Sequence, residues 1–274
     1  MSRTWTFAGF DFFVLWLDAT DGPVPWPLAY TNRTKSQDEF RFVQRETRAS
    51  LAEARDAEFD RMLAAITRPD IAVMLECADW RAWEKADWRV WGQPGELVRL
   101  YAARSGDRGY VISQQTGETY WDADGFTVTE CDAIRLADAV VAAIPEADPG
   151  HISALVLAGE NIGPGNSHEE LDYSYGQSSV QDSFAESASD RAQRFLDAPT
   201  TYTGIVEVRQ MRSIFGPRGR TKHRLEWRDL EDDGRYVIDD QTPPVATAVD
   251  NAKLIAMINT RVAAVVHAIK DERA

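Results

Sequence analysis

Two short stretches of this chain recur in the same order, and that recurrence limits the folds open to it. Asp107-Arg108-Gly109-Tyr110-Val111-Ile112 resembles Asp233-Gly234-Arg235-Tyr236-Val237-Ile238. Downstream, Asp132-Ala133-Ile134-Arg135-Leu136 resembles Asp250-Asn251-Ala252-Lys253-Leu254. The tyrosines stand 126 positions apart (110 to 236) and the aspartates 118 (132 to 250). In each copy a turn leads into a strand, and an Asp-capped helix follows. The eight-residue difference places extra loop in the first copy, around Thr116–Asp122. Hairpins share turn chemistry and helices share Asp caps, so one match alone means little; two in one order point to duplication. Two half-domains, each a hairpin with a covering helix, bury their sheets best side by side. The expected fold is therefore α+β: a central antiparallel sheet flanked by helices, in two similar halves with pseudo-two-fold symmetry. One domain is expected over 1–274, with a first half of about 1–150 and a second of about 191–274.

Local signals fill in the frame. Phe10–Leu17 precedes a turn rich in proline (Asp21-Gly22, Pro23, Pro25, Pro27) and reads as a short element of its own. Residues 36–67 read as helix with a break after Ala54. Ser36 and Glu39 form a capping box at its start, and Pro69 closes it. Strands are predicted at Ile71–Cys77, Leu97–Ala103, Tyr110–Gln114, Phe126–Thr129, Tyr202–Met211, Arg224–Leu230 and Arg235–Asp239. Helices are predicted at Asp132–Ile144, Phe184–Leu196 and from Asp250 to about Ile269. From Ala158 to Asp190 seven acids stand without one Lys or Arg, among many Gly and Ser. That segment reads as an acidic linker or long exposed loop.

Several functions find no support in the residues. None of His151, His168, His223 and His267 has metal-ligand spacing to another His or to a Cys. Cys77 lies in an apolar strand and reads as buried and inert; Cys131, just before a helix cap, has the placement of a thiol with a lowered pKa but no neighbouring His. Two cysteines make no disulfide framework and suit a reducing cytosol. Ala154–Gly165 imitates a strand running into a phosphate loop, but it lacks the Lys-Ser or Lys-Thr and carries Glu160 where phosphate would sit. No uncharged apolar window of the length a bilayer demands is found. The net charge of −14 repels nucleic acid and anionic membranes at long range. No enzyme, cofactor, metal, nucleic acid or membrane insertion is therefore expected, and localisation is expected to be cytoplasmic.

Three features suit protein binding. Arg209, Arg212, Arg218, Arg220, Lys222 and Arg224 occur in one run without an acid. They serve either to pair with the protein's own acids or to rim a partner site. Trp80, Trp83, Trp88 and Trp91 crowd one connection between strands, as core closers or interface anchors. The last helix is apolar over much of its girth through Leu254, Ile255, Met257, Ile258, Val262, Val265, Val266 and Ile269. It is either sandwiched in the protein or offers a second face.

Further residues resemble the EspG family, cytosolic chaperones of ESX (type VII) secretion in actinobacteria. The likeness is carried by Phe10-Asp11-Phe12-Phe13-Val14-Leu15-Trp16 with Pro23 to Pro27, and by Leu63-Ala64-Ala65-Ile66-Thr67-Arg68-Pro69. It continues in Asp132 to Pro145 with Pro149-Gly150, in Ser213-Ile214-Phe215-Gly216 before the basic run, and in Gly234-Arg235-Tyr236-Val237. The chain departs from the family in its Trp-rich 80–91 loop, its more acidic 158–190 segment and Ser213-Ile214 in the phenylalanine motif. The resemblance implies a quasi-two-fold sheet protein without enzymatic activity, which binds PE–PPE heterodimers, keeps them soluble and delivers them for export. The partner contacts it implies are Ile214, Phe215, Arg218, Arg220, Leu225, Trp227, Tyr236, Leu254 and Ile258, with Trp83 and Trp88 added from the Trp-rich loop. The alternative is another protein-binding module, such as an immunity protein for a secreted toxin. Self-association is left open.

Overall fold

Short polar side chains set where the helices begin. Ser36 Oγ accepts from the Glu39 amide at 3.1 Å, and the Glu39 carboxylate reaches back to the Lys35 amide at 2.7 Å, one residue before the expected box partner. Asp56 accepts from the Phe59 amide at 2.8 Å and starts a second helix. The helical stretch of 36–67 is thus two helices, α2 (Gln37–Glu53) and α3 (Ala57–Thr67), after α1 (Gly9–Thr20). Asp132 and Asp250 cap as expected, accepting from the amides of Ile134 and Lys253. Asp132, however, opens one 3-10 turn and a shorter helix, α4 (Leu136–Val141). Next come α5 (Ala188–Asp197) and α6 (Asn251–Asp271). This computed structural model describes residues 2–79, 97–157 and 188–273.

Among the described residues ten strands form one antiparallel sheet. They are β1 (Thr4–Ala8), β2 (Ile71–Asp79), β3 (Val98–Ser105), β4 (Arg108–Thr116), β5 (Ala123–Asp132), β6 (Ala154–Val156), β7 (Thr200–Gln210), β8 (Lys222–Leu230), β9 (Arg235–Asp239) and β10 (Val245–Ala248). The order is β1-β5-β4-β3-β2-β7-β8-β9-β10-β6. Read outward from the central β2–β7 pair, the two arms correspond strand for strand. In each arm the first strand in sequence, β1 or β6, returns to the outer edge beside the last. The sequence signals miss β1, β6 and β10. These are three to five residues long, too short for alternation to register, and two of them lie at the edges.

The register carries the repeat into space. Tyr110 stands opposite Ala103, and Tyr236 opposite Arg228. Ile112 pairs with Val128, sixteen positions on, whereas Ile238 pairs with Ala246, eight positions on. The first copy's extra residues therefore sit between β4 and β5, as the two offsets require. Leu136 and Val140 of α4, like Leu254 and Ile258 of α6, are buried in one core against one face of the sheet. On the opposite face, α1 and α3 cover the first arm through Phe12, Trp16, Phe59, Met62 and Ile66. There α5 covers the outer part of the second arm with Ala192 and Phe195.

The arms fill equivalent space with different side chains. Val73 pairs across with Ala102 in the first arm; Gly204 pairs with Trp227 in the second. A Cβ at Gly204 would lie 2.1 Å from the buried Trp227 ring. One arm divides the volume between two modest side chains, and the other gives all of it to an indole.

Arg235 fastens the second arm. Its side chain is fully buried and grips Asp229 with two bonds of 2.7 Å. It also donates to Asn251 Oδ1 at 3.1 Å and to the Pro145 carbonyl at 2.9 Å. One guanidinium thereby joins β8, β9, the chain after α4 and the first turn of α6. α6 itself has the length and apolar composition of a membrane span. Here Leu254, Ile258, Val262 and Val265 bury one face of it on the sheet, and its outer face is largely alanine and polar. The sandwiched reading of this helix is thus replaced by a one-sided one.

Two outcomes follow. Trp227→Ala should cost about 3–5 kcal/mol and Gly204→Val about 1–3 kcal/mol. The double variant, which rebuilds the first arm's kind of pair, should have a higher urea midpoint than Trp227→Ala alone. Arg235→Met should cost about 3–5 kcal/mol by stranding Asp229, with much of that restored in the Arg235→Met/Asp229→Leu pair.

Candidate functional site

The hairpin joining β7 to β8, residues 211–221, carries two adjacent, highly exposed large apolar side chains. Ile214 is 70% exposed and Phe215 71%. Two such residues on a loop tip are held out by the backbone. Ser213 Oγ accepts from the Phe215 amide, the Ser213 carbonyl accepts from Gly216, and Gly216 takes a φ of +75° that a side chain would resist. A 3-10 turn, Pro217–Gly219, follows.

A residue from the far end of the chain fixes this shape. The Glu272 carboxylate accepts from Gln210 Nε2 at 2.7 Å, Ser213 Oγ at 2.8 Å and the Ile214 amide at 3.0 Å. Desolvation raises the pKa of that carboxyl, but these bonds and the charge of Arg273 outweigh it, and the net shift is downward. No sequence signal marked Glu272, because its partners lie some sixty residues away.

The basic run splits in two. Arg209, Lys222 and Arg224 converge on Glu207, which is 3% exposed on β7. Lys222 Nζ lies 3.1 Å and Arg224 Nη1 3.6 Å from Glu207 Oε1, and Arg209 bonds Oε2. Arg224 also donates to Glu226 at 2.7 Å. Arg212, Arg218 and Arg220, around the hairpin tip, are exposed and make no ion pair among the described residues. The sequence offered one clue to Glu207: it is the lone acid between Gly204 and Val208.

The remaining expected contacts divide by burial. Leu225, Trp227, Tyr236, Leu254 and Ile258 are at most 1% exposed. As direct partner contacts they are corrected: alternation on strands and the buried stripe of α6 put them in the core. Tyr236 additionally bridges Asp233 Oδ2 at 2.7 Å and the Ile152 amide at 3.0 Å, tying residues 151–153 to the β8–β9 turn. Trp83 and Trp88, with the whole Trp-rich loop, lie outside the described residues, as do 158–187 of the acidic segment. Burial pushes the Cys77 thiol up to about 12. Partial burial, then Asp132 and Glu130, also raise Cys131, so the lowered pKa considered for that thiol is reversed. Both cysteines are free.

Comparison with known proteins bears on this geometry. The EspG family pattern matches residues 10–260. The structure resembles the Mycobacterium tuberculosis type VII secretion system chaperone EspG5, solved in complex with the PE25–PPE41 dimer. The TM-score is 0.52 at 14% identity, covering 95% of this chain and 96% of that one. No curated protein matches by sequence.

The Glu272 clasp predicts a pH response. A carboxyl whose folded pKa is depressed contributes order above its unfolded value and loses it as pH falls through the folded one. Amides of 213–216 should therefore exchange faster with deuterium as pH drops below the ordinary glutamate range, after correction for intrinsic rates. Glu272→Gln should speed their exchange at neutral pH while leaving the β2–β7 amides protected.

Proposed function

Because the chain belongs to the EspG family, we propose that it is a cytosolic chaperone of a type VII secretion system. It binds a PE–PPE-like heterodimer, keeps the pair soluble and hands it on for export. The observation that carries this reading is a family match over residues 10–260, joined to a fold shared along nearly its whole length with a chaperone solved on such a dimer. The role calls for surface complementarity and no catalysis.

The client contact is assigned to the hairpin at 211–221. Ile214 and Phe215 supply apolar anchors, and burying each fully is worth about 1.5–3 kcal/mol. Arg218 and Arg220 supply a cationic rim, which favours encounter and register more than final affinity. Trp83 and Trp88 complete the proposed contact set. An apolar tip kept rigid by Glu272 loses little entropy on docking. Part of the gross gain is spent on association itself, which leaves a complex able to release its cargo.

Co-expression with a PE–PPE pair from the same genome should yield a soluble 1:1:1 complex by size exclusion. Ile214→Ser/Phe215→Ser should weaken that complex by about tenfold or more while thermal unfolding of the free chaperone is unchanged. Persistently insoluble client in the presence of the unaltered protein defeats the proposal.

A further inference from the structure

The described sheet ends in two edges, β1 and β6, and they are built differently. β6 is three residues long, and the amide that follows it, Leu157, is already taken by the Pro244 carbonyl. β1 runs through five residues, Thr4-Trp5-Thr6-Phe7-Ala8, in register with Thr129 to Gly125 of β5. The Glu130 amide donates to the Arg3 carbonyl at 2.9 Å. Arg3, and by alternation Trp5 and Phe7, therefore turn their backbone groups toward β5. Thr4, Thr6 and Ala8 turn theirs outward, and all three residues are exposed. Among the described residues no strand lies beyond them.

Natural sheets guard such an edge with a charge, a proline or a bulge. β1 carries no charged residue and no proline, and its register against β5 is unbroken. Laid antiparallel on a second β1 about a two-fold axis at Thr6, the strand meets side chains that suit it. Thr6 falls beside the partner's Thr6, Thr4 beside the partner's Ala8, and Trp5 beside the partner's Phe7. Threonine pairs and aromatic pairs are favourable cross-strand neighbours. The two pairs of Trp5 with Phe7 fall at non-hydrogen-bonded positions, where side chains approach closest. Trp5 is only partly buried and has surface left to cover. Arg3 comes opposite the partner's Gly9 rather than its own image, and keeps its bond of 2.7 Å to Asp56. The net charge of −14 on each copy opposes contact between copies, and an uncharged strand is where that opposition is least.

We infer that β1 pairs with β1 of a second copy of this chain, joining two sheets edge to edge in a two-fold dimer. The two Thr6 residues exchange both of their backbone bonds, and each Ala8 amide reaches the partner's Thr4 carbonyl. The symmetry closes the assembly at two, because each copy uses the same strand and only the short β6 edges remain. The contact is one short ladder, small beside the interfaces of permanent dimers, so the copies associate reversibly. This pairing is independent of the chaperone reading. The hairpin at 211–221 leaves from beyond the central β2–β7 pair, with the whole first arm between it and β1. Each copy therefore keeps its proposed client contact, and the 1:1:1 ratio is the same in one copy or two.

Two measurements on the full chain, free of client, test the pairing. Sedimentation equilibrium from about 5 to about 500 µM should show the mean mass rising from one chain toward two. Over the same range, NMR should show amide exchange slowing at Thr4, Thr6 and Ala8, while Trp5 and Phe7, already bonded to β5, change little. Thr6→Pro removes an amide that faces outward, which an edge strand tolerates. Thr6→Lys sets a charge against its own image at the axis. Each variant should stay monomeric across the range with the melting temperature unchanged, and Thr6→Lys decides if Thr6→Pro fails to fold. A mass of one chain throughout overturns the inference, and so does a dimer that the folded variants retain. Slowing at Thr4, Thr6 and Ala8 only when a PE–PPE pair is added also overturns it, since the edge then belongs to the client. None of these outcomes bears on whether the protein is a chaperone.

Discussion

Everything else in the molecule depends on the pairing of β2 with β7. Nine residues of β2, from Ile71 to Asp79, run antiparallel to Gln210 through Tyr202, and the ladder turns two five-stranded arms into one sheet. Because the pair is antiparallel, the second arm presents the same face as the first after a half-turn. The helices that end the two arms, α4 and α6, can then share one core with Val73, Leu75, Val206 and Val208. A backbone ladder across the middle also spreads rigidity outward, since each arm's strands hang in sequence from their central member. The hairpin carrying Ile214 and Phe215 leaves directly from one end of this ladder, so its base inherits the stiffness of the sheet's centre.

The difference between the arms carries the functional weight. The first arm spends its opposite face on structure: aromatic and aliphatic side chains of α1 and α3 bury it, and the loop with Tyr120 closes over a charge pair. The second arm mixes polar Thr203, Glu226 and Arg228 among the equivalent positions, leaves a cationic hairpin projecting, and fastens itself internally through Arg235. A protein that must hold another for a limited time needs this division. One half supplies stability without surface, and the other supplies surface without becoming an exposed hydrophobic hazard when empty.

Much of the frame is legible in the residues. Tyr110 and Tyr236 were paired from sequence, and they occupy matching strands; Asp132 and Asp250 cap matching helices. Turn and cap chemistry is local, so it survives reading one residue at a time. Three short strands escaped because their stability comes from neighbours rather than from pattern. The candidate site was less legible. Ile214 and Phe215 are exposed, whereas Leu225, Trp227 and Tyr236, expected on the partner's side, are buried in the core. A strand's alternation says that two faces exist; which one meets water depends on what the rest of the chain lays over it. Glu272 acts through residues brought near only by folding, and Glu207 gathers Lys222 and Arg224 from the next strand.

The Gly204–Trp227 pair has a consequence for how such a protein can change. Between it and the Val73–Ala102 arrangement lie two single substitutions, and each alone is unfavourable. A bulky residue beside the indole forces the ring out of place, and a small residue in place of the indole leaves a void. Sequence drift at either position is therefore blocked until its partner moves. The pair acts as a ratchet: once one arm has adopted the glycine and indole, the two halves can no longer exchange core residues freely, and their divergence elsewhere proceeds on a frame that resists reversal.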